Sequence, residues 1–225
     1  MSTDTVATDI ARIENVPLRV SVADIIRQAI INGSMRPGTP VVEMALAEQL
    51  NVSRAPVREA IQILEADGLI ESEPYKGKRV KPLTIKGVEE LYSLREQFEA
   101  FAIRRIIERH ADVSELHVHS DAMFEAAERG DLAALNTADE AFHRTLIQLA
   151  DHSLMLSLWD NLYLRIRQIM ALRNSANRDL RAVARNHPPI IAAIEKRDMI
   201  RAISLISDHT RSASQIAPEE LGITS

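Results

Sequence analysis

Four side chains in the second half of the chain have the residue types and the spacing of a metal site. Asp139 and His143, in the stretch DEAFH, are four residues apart and therefore share one face of a helix. His187 and His209 are 22 residues apart, which brings them together if the chain turns back near Asp198. One carboxylate and three imidazoles suit a divalent Zn, Ni or Mn ion and leave positions for water or a ligand. The same residues also fit core histidines or histidines that cap helix ends, so the spacing leaves these alternatives open.

A second group of side chains, in the stretch NVSRAPVREA at 51–60, has the chemistry of an anion-binding helix end. Ser53 suits the N-cap, where its hydroxyl accepts a hydrogen bond from a backbone N–H of the first turn. Pro56 is tolerated in that turn because these N–H groups have no acceptor within the helix. Arg54 and Arg58 share the outward face, where guanidinium groups suit phosphates or the edge of guanine.

A solvated amphipathic helix would explain the same ten residues, with Arg58 paired to Glu59 or Glu65. The basic stretch KGKRVK, about twenty residues further on, favours nucleic acid instead. Lys76 and Gly77 lie at its turn, and a glycine flanked by cations lets the backbone approach a groove closely. A solvated loop is the remaining alternative for this stretch.

The apolar spacing predicts the elements that position the basic residues. One helix begins at Leu18, a second covers 42–50, and a third follows Ser53 and stops at Asp67-Gly68. Residues 69–83 then read as two short extended pieces that form a hairpin. The residues expected on the inward face of the first and third helices are Val22, Ile25, Ile26, Ala29, Ile30, Val57, Ala60, Ile61 and Leu64. Helix, helix, turn, helix and hairpin is the order of a winged helix-turn-helix domain.

From Thr84 onward the pattern is helical throughout, so the fold class is mainly α. Helices are predicted near 85–110, 113–129, 131–150, 153–173, 176–197 and 199–215, and closely connected helices of this length form an antiparallel bundle. The predicted division is therefore a tail at 1–17, a winged helix-turn-helix domain at 18–83, a helical domain at 86–215 and a tail at 216–225.

The composition narrows the class of protein. Apolar residues make up 46% and charged residues 26% of the 225 residues, as in a globular domain, and the 7 glycines and 4% aromatics disfavour a β-rich fold. The chain has no cysteine, which excludes disulfides and thiolate chemistry. The start of the chain lacks the features of a secretory signal, and its apolar runs are far shorter than the roughly 20 residues of a membrane span. We therefore expect a cytoplasmic protein that does not enter the membrane.

Residues 18–83 resemble a known family. The stretches IRQAI, NGSMRPG, LAEQLNVSRAPVREAIQILEADGLI and YKGKRV, in this order, are similar to the N-terminal domain of GntR-family bacterial transcription regulators. The resemblance implies that Arg54 and Arg58 touch operator DNA from the recognition helix. It places Ser53, Ala55 and Pro56 on the same surface, with Lys76 and Gly77 in the wing.

Two positions depart from the family pattern in this domain. Ala55 stands where the family often has Thr, so only an apolar contact is available there. Met44 stands where some members carry an Arg that contacts DNA. We therefore expect part of the DNA interface to be weaker or to read DNA differently.

Residues 86–215 resemble the FCD effector-binding domain of the FadR subfamily of the same regulators. The stretches that carry this likeness are LYSLREQFEAFAIRR, ADEAFHRTLIQLADHSLM and HPPIIAAIEKRDMIRAISLISDHT. The resemblance implies the metal ligands Asp139, His143, His187 and His209, and an effector-binding Arg95 that pairs with a carboxylate.

The sequence alone does not decide two features of this domain, the partner of Arg95 and the backbone geometry at His187. Arg95 could instead form an i, i+4 ion pair with Glu99 on an exposed helix. Pro188 directly follows His187, disfavours helical geometry there and must kink or restart the helix, which makes this ligand the least secure of the four.

Together these features predict a metabolite-responsive transcription regulator that binds a palindromic operator as a homodimer, with a metal-assisted site for a small organic acid. The alternatives are a metal-dependent hydrolase or lyase that uses the same Asp/His quartet, and a sensor of metal alone. The enzyme is disfavoured because the chain lacks an HExxH-type base, a Gly-rich phosphate loop and a Cys or Ser nucleophile motif.

Overall fold

The computed structural model describes residues 16–176 and 179–215 of the chain. Apart from residues 16 and 17, the tails predicted at 1–17 and 216–225 lie outside the described residues. The N-terminal unit contains α1 (Leu18–Ile31), β1 (Pro40–Val41), α2 (Glu43–Gln49), α3 (Arg54–Ala66), β2 (Ile70–Glu73) and β3 (Gly77–Val80). This is the predicted winged helix-turn-helix, and the fold class is confirmed as mainly helical.

The wing contains one strand more than the sequence predicts. β3 lies between β1 and β2, antiparallel to both, with Pro40 opposite Arg79 and Ile70 opposite Val80. β1 has only two residues, which is too short to show an alternating pattern. It pairs because Gly38, at a φ of +81°, turns the chain so that its N–H donates to the carbonyl of Val80.

The buried residues of α1 and α3 agree with the inward faces that the sequence predicts, except at Ile25. Val57, Ala60, Ile61 and Leu64 of α3 are fully buried, whereas Ile25 of α1 is 54% exposed. A helix turns 100° per residue, so the buried face of α1, at Val22, Ala23, Ile26 and Ile30, points away from Ile25.

The second unit contains seven helices within the described residues. They are α4 (Ile85–Arg109), α5 (Ser114–Arg129), α6 (Leu132–Leu149), α7 (Ser153–Ala176), α8 (Leu180–Arg185), α9 (Pro188–Glu195) and α10 (Met199–Ser214). Leu83, which the sequence placed at the end of the first domain, packs in the core of this second unit. No helix in 16–176 or 179–215 has both the length and the apolar character needed to cross a bilayer.

The helical segment predicted over 176–197 is divided into α8 and α9, because the helix restarts at Pro188, one of the two outcomes expected there. Pro188 is the first residue of α9, where a missing N–H costs no helical hydrogen bond, and His187 becomes its N-cap. The predicted turn near Asp198 is present, and its side chain accepts a hydrogen bond from the N–H of Arg201 at the start of α10. These two helix starts set the direction in which His187 and His209 face.

The two units touch through α1, which packs against α7 of the second unit as well as against α3. Leu172 of α7 lies next to Gly33, just after α1 ends, and Arg165 of α7 lies next to Gly68, just after α3 ends. The helix that carries Arg54 and Arg58 is therefore joined to the second unit through packed side chains.

Candidate functional site

Three histidines and one aspartate meet in the core of the second unit. His143 comes from α6, His187 from the α8–α9 junction and His209 from α10. Nε2 of His143 lies 3.4 Å from Nε2 of His187 and 3.3 Å from Nε2 of His209. Oδ1 of Asp139 lies 3.1 Å from Nε2 of His187 and 3.8 Å from Nε2 of His143. The structure thus brings together all four residues that the sequence proposed as ligands.

The break between α8 and α9 orients His187 rather than displacing it. Nδ1 of His187 lies 3.1 Å from the carbonyl oxygen of Val183, which can only accept a hydrogen bond. Nδ1 therefore donates to this carbonyl, which leaves Nε2, the nitrogen that faces Asp139 and His143, as the one available to a metal ion.

Burial controls the charges in this cluster. Burial lowers the pKa of His143 and lowers the pKa of His209 well below the ordinary histidine value. Burial alone would raise the pKa of Asp139, but the hydrogen bond from His187 and the neighbouring cationic groups hold it well below the usual range. Asp139 is therefore ionised, and His143 and His209 resist protonation, which are the forms that bind metals.

The geometry and the unsatisfied atoms fit a divalent transition metal ion. Two metal–nitrogen bonds of about 2.0–2.1 Å at a tetrahedral angle put the nitrogen atoms about 3.3 Å apart, close to the observed separations. Nε2 of His187 lies 3.1 Å from Oδ1 of Asp139, so either a proton or a shared metal ion must lie between these two atoms. Oδ2 of Asp139 and Nδ1 of His209 are also buried without a hydrogen-bond partner.

Arg95 of α4 lies directly against the cluster. Its side chain is 1% exposed, its Nε donates to Oε1 of Glu99 over 2.8 Å, and its Nη2 lies 2.8 Å from Nε2 of His143. The pair with Glu99 therefore forms, but it is buried, so the alternative of an exposed surface pair is wrong. Burial would lower the pKa of Arg95, but the Glu99 carboxylate outweighs it and the pKa is raised, so the guanidinium keeps its charge.

Glu99 also belongs to the site, although the sequence suggested it only as an exposed partner of Arg95. It is completely buried, and its Oε1 also lies 3.0 Å from Nδ1 of His143. A signal was available, because Arg95 and Glu99 lie on the same face of α4 as the apolar residues Leu91 and Ala102. A charged pair within an apolar stripe indicates a buried site.

A cavity of about 180 Å³ adjoins the cluster between α4, α6, α7, α8 and α10. Arg95, Asp139 and His209 line it on the side of the cluster. Arg173 and Asn174 of α7 and Asn186 after α8 line it elsewhere. These last three residues have no distinctive spacing in the sequence, and only the packing of the helices brings them to the cavity.

The basic residues of α3 form an exposed surface. Ser53, Arg54, Ala55 and Arg58 are exposed and Pro56 is partly exposed at the start of the helix. Ser53 occupies the N-cap, but its hydroxyl makes no capping bond. The physical reason is Pro56, which stands at the third helical position and has no N–H to donate.

The carboxylate that pairs with Arg54 and Arg58 is neither of the two that the sequence offered as alternatives for Arg58. Arg58 Nε lies 3.2 Å and Arg54 Nη2 lies 3.6 Å from Oε2 of Glu43, on α2. Glu59 instead pairs with Arg19, and Glu65 pairs with Lys78 of the wing. Both guanidinium groups nevertheless remain more than half exposed.

The wing presents an aromatic side chain that the sequence argument did not single out. The turn between β2 and β3 consists of residues 74–76, and Tyr75 at its tip is fully exposed with a φ of 65°. Lys76 is 73% exposed and pairs with Glu73, while Gly77 follows at a φ of +90°. Met44 of α2 is also exposed, at 65%.

The comparisons with known proteins cover both units. The family model described as bacterial regulatory proteins of the gntR family matches residues 18–80, and the FCD domain model matches residues 90–212. The chain is 33% identical over 199 residues to a probable D-xylose utilization operon transcriptional repressor from Paenarthrobacter nicotinovorans, over 88% of each protein. It is 30% identical over 198 residues to the gluconate operon transcriptional repressor of Bacillus subtilis, over 84% of this chain and 80% of that protein.

Solved structures share the fold. A crystal structure of a GntR-type transcriptional regulator from Rhodococcus sp. RHA1 superposes with a TM-score of 0.77 at 26% identity, covering 93% of this chain and all of that one. The structure of E. coli McbR/YncC superposes with a TM-score of 0.73 at 21% identity, covering 88% of this chain and 95% of that one.

Proposed function

Because the chain belongs to the GntR family of bacterial transcription regulators and carries an FCD domain, we propose that it binds a palindromic operator as a homodimer and that a small organic acid, acting with a divalent metal ion, controls this binding. The observation that carries the effector part is the meeting of Asp139 and three histidines beside a buried Arg95 and a cavity. The family assignment makes the chain a regulator and not an enzyme, which removes the hydrolase or lyase alternative.

The DNA part of the proposal rests on the exposed start of α3. Arg54 and Arg58 project from a helix end whose unpaired N–H groups favour phosphate, and a guanidinium can bridge the O6 and N7 atoms of guanine. Ser53, Ala55 and Pro56 lie on the same surface, with Lys76 and Gly77 in the wing. One such helix reads too few base pairs to be selective, so two copies and a two-fold operator are part of the proposal. A regulator of this kind works where the DNA is, in the cytoplasm.

The effector part assigns the metal to Asp139, His143, His187 and His209. Zn, Ni or Mn would suit this donor set, and a bound ion would supply a positive centre that attracts a carboxylate. Arg95 is assigned to the same carboxylate, which its planar guanidinium can hold with two hydrogen bonds.

Arg95 and a metal ion compete for one lone pair. Nη2 of Arg95 can only donate, so in this structure it occupies the Nε2 lone pair of His143. His143 can give that lone pair to a metal only when Arg95 withdraws. In this proposal, Arg95 loses Nε2 of His143 as a hydrogen-bond acceptor when it withdraws. A carboxylate oxygen of the effector then replaces that acceptor.

A short chain of contacts supports coupling from this site to the DNA-binding unit. Sδ of Met170 lies 3.7 Å from both Nη1 of Arg95 and the hydroxyl of Tyr163. Tyr163 lines a space of about 170 Å³ that α1 closes with Gln28 and Ile31. A displacement of Arg95 therefore acts on α7 at the place where α7 meets α1, which is where a change in domain arrangement would begin.

The decisive experiment is the metal content of the purified protein and of two histidine variants. We expect wild type to hold a divalent transition metal, His143→Ala to lose it, and the matched control His117→Ala, whose exposed side chain pairs with Glu195 away from the cluster, to retain it. Full metal occupancy in His143→Ala would overturn the assigned ligand set.

A thermal-shift screen of metals with and without carboxylates separates the two regulatory alternatives. An acid effector raises the melting temperature of the metal-loaded protein further, because ligands that bind only the folded state stabilise it. A rise with metal and no further rise with any acid would indicate a sensor of metal alone.

A further inference from the structure

The cavity beside the cluster contains two arginines that differ in their surroundings. Arg95 is buried and its charge is balanced by Glu99 over 2.8 Å. Arg173 is partly buried, and no carboxylate within 16–176 or 179–215 lies at ion-pair distance from its guanidinium. Its Nη2 donates a hydrogen bond over 3.2 Å to the carbonyl oxygen of Ser212.

The charge of Arg173 acts inside the cavity and not only at the surface. Burial raises the pKa of the Tyr92 hydroxyl, and the positive charges of Arg95 and Arg173 oppose this rise. Tyr92 is buried next to Arg95, whose guanidinium carbon lies 5.4 Å from the centre of its ring. Arg173 therefore lines the same cavity as Arg95, Asp139 and His209, and no carboxylate among the described residues pairs with it.

The charge balance of the loaded site points to a ligand with two negative groups. The Glu99 carboxylate offsets Arg95, and the Asp139 carboxylate offsets one of the two charges of a divalent ion. One charge of the ion and the charge of Arg173 are left. On this basis, which rests on the proposed function, we propose that the effector is a small dianionic organic acid, with one carboxylate at the metal and Arg95 and the other at Arg173.

The cavity sets the size of this acid. A volume of about 180 Å³ corresponds to roughly six water molecules at their liquid volume of about 30 Å³ each. That space suits a dicarboxylate of about four carbons and excludes long-chain acids. Asn174 and Asn186 add amide groups to the lining of this cavity, and the amide of Asn174 is held by a 2.7 Å hydrogen bond to Asn136.

The test compares acids that have the same chain length and differ by one carboxylate. Succinate against butyrate, and malonate against propionate, are titrated calorimetrically into the metal-loaded full-length protein at constant ionic strength and neutral pH. We expect each diacid to bind at least about tenfold more tightly than its matched monoacid, because a hydrogen-bonded charge is added at Arg173.

Arg173→Gln separates recognition from a structural role. If Arg173 binds the second carboxylate, the variant binds butyrate as wild type does but loses the preference for succinate. If Arg173 only holds the end of α10 through Ser212, both acids weaken equally and the preference stays. Arg173→Lys keeps a cation and should keep part of the preference, which provides a second variant if the glutamine protein folds poorly.

The results that would contradict the dianion inference differ from those that would contradict the acid effector of the proposed function. Equal affinity of wild type for succinate and butyrate, or an unchanged preference in Arg173→Gln, would overturn the dianion inference and leave the metal-assisted acid site standing. Binding of neither mono- nor diacids by a metal-loaded protein would instead overturn the acid effector of the proposed function.

Discussion

Nη2 of Arg95 lies 2.8 Å from Nε2 of His143, so a permanently charged donor occupies the nitrogen that a metal ion would need. The contact is completely buried, and Glu99 holds both side chains from the other side, at 2.8 Å from Nε of Arg95 and 3.0 Å from Nδ1 of His143. The proposed metal ligand His143 and Arg95 are therefore hydrogen-bonded to each other, so a change in one of them alters the surroundings of the other.

The first prediction concerns the competition between Arg95 and metal. In Arg95→Gln the repulsion of a nearby positive charge is removed and the lone pair of His143 is released. We expect metal affinity to rise about tenfold, measured by competition with a chromophoric chelator. Arg129→Gln removes an exposed charge elsewhere and should leave the affinity unchanged. A weaker affinity in Arg95→Gln would contradict the competition.

The second prediction concerns the buried pair of Arg95 and Glu99. Glu99→Gln leaves the Arg95 charge buried without its partner, and we expect the metal-free protein to lose about 3–5 kcal/mol of unfolding free energy. The double variant Arg95→Gln/Glu99→Gln should lose less than the sum of the two single variants, because neither charge is left alone. Urea denaturation of the four proteins measures this coupling, and strict additivity would show that the pair contributes nothing.

The third prediction concerns the recognition helix. Arg58→Ala should weaken binding to a duplex selected by the wild-type protein from a random library by about 10- to 100-fold, since one guanidinium–guanine contact contributes about 1–3 kcal/mol. Arg129→Ala removes the same charge from the far unit and serves as the matched control in the same titration at the same salt. An affinity equal to wild type in Arg58→Ala would rule out the assignment of α3 as the DNA-reading helix.

The fourth prediction concerns Glu43, which lies 3.2 Å from Arg58 and 3.6 Å from Arg54 in the absence of DNA. A phosphate must compete with this carboxylate for both guanidinium groups. Glu43→Gln should therefore raise affinity for duplexes of unrelated sequence by about two- to fivefold at low salt, the size expected of a partly exposed ion pair. Glu59→Gln, which removes a carboxylate paired with Arg19, should change this affinity less. The prediction is wrong if the two variants behave alike.

The errors made from the sequence have a common physical cause. Ile25 was placed in the core, and the only ion-pair partners considered for Arg58 were neighbours on its own helix, because periodicity describes one helix at a time. Which of two apolar faces is covered, and which acid on another helix reaches a given arginine, depends on how the elements pack. The two-residue strand β1 was missed for a related reason, since a strand so short exists only through its partner β3.

The sequence by itself determined the mainly helical fold, the winged helix-turn-helix order, the turn at Asp198 and the restart of the helix at Pro188. Each of these follows from local chemistry: apolar periodicity, a capping side chain, or a ring that lacks an N–H. The sequence also singled out Asp139, His143, His187 and His209. Only the tertiary structure decided that Arg95 and Glu99 are buried against these residues and that Arg173 faces the same cavity, because burial and charge balance depend on side chains that meet from five different helices.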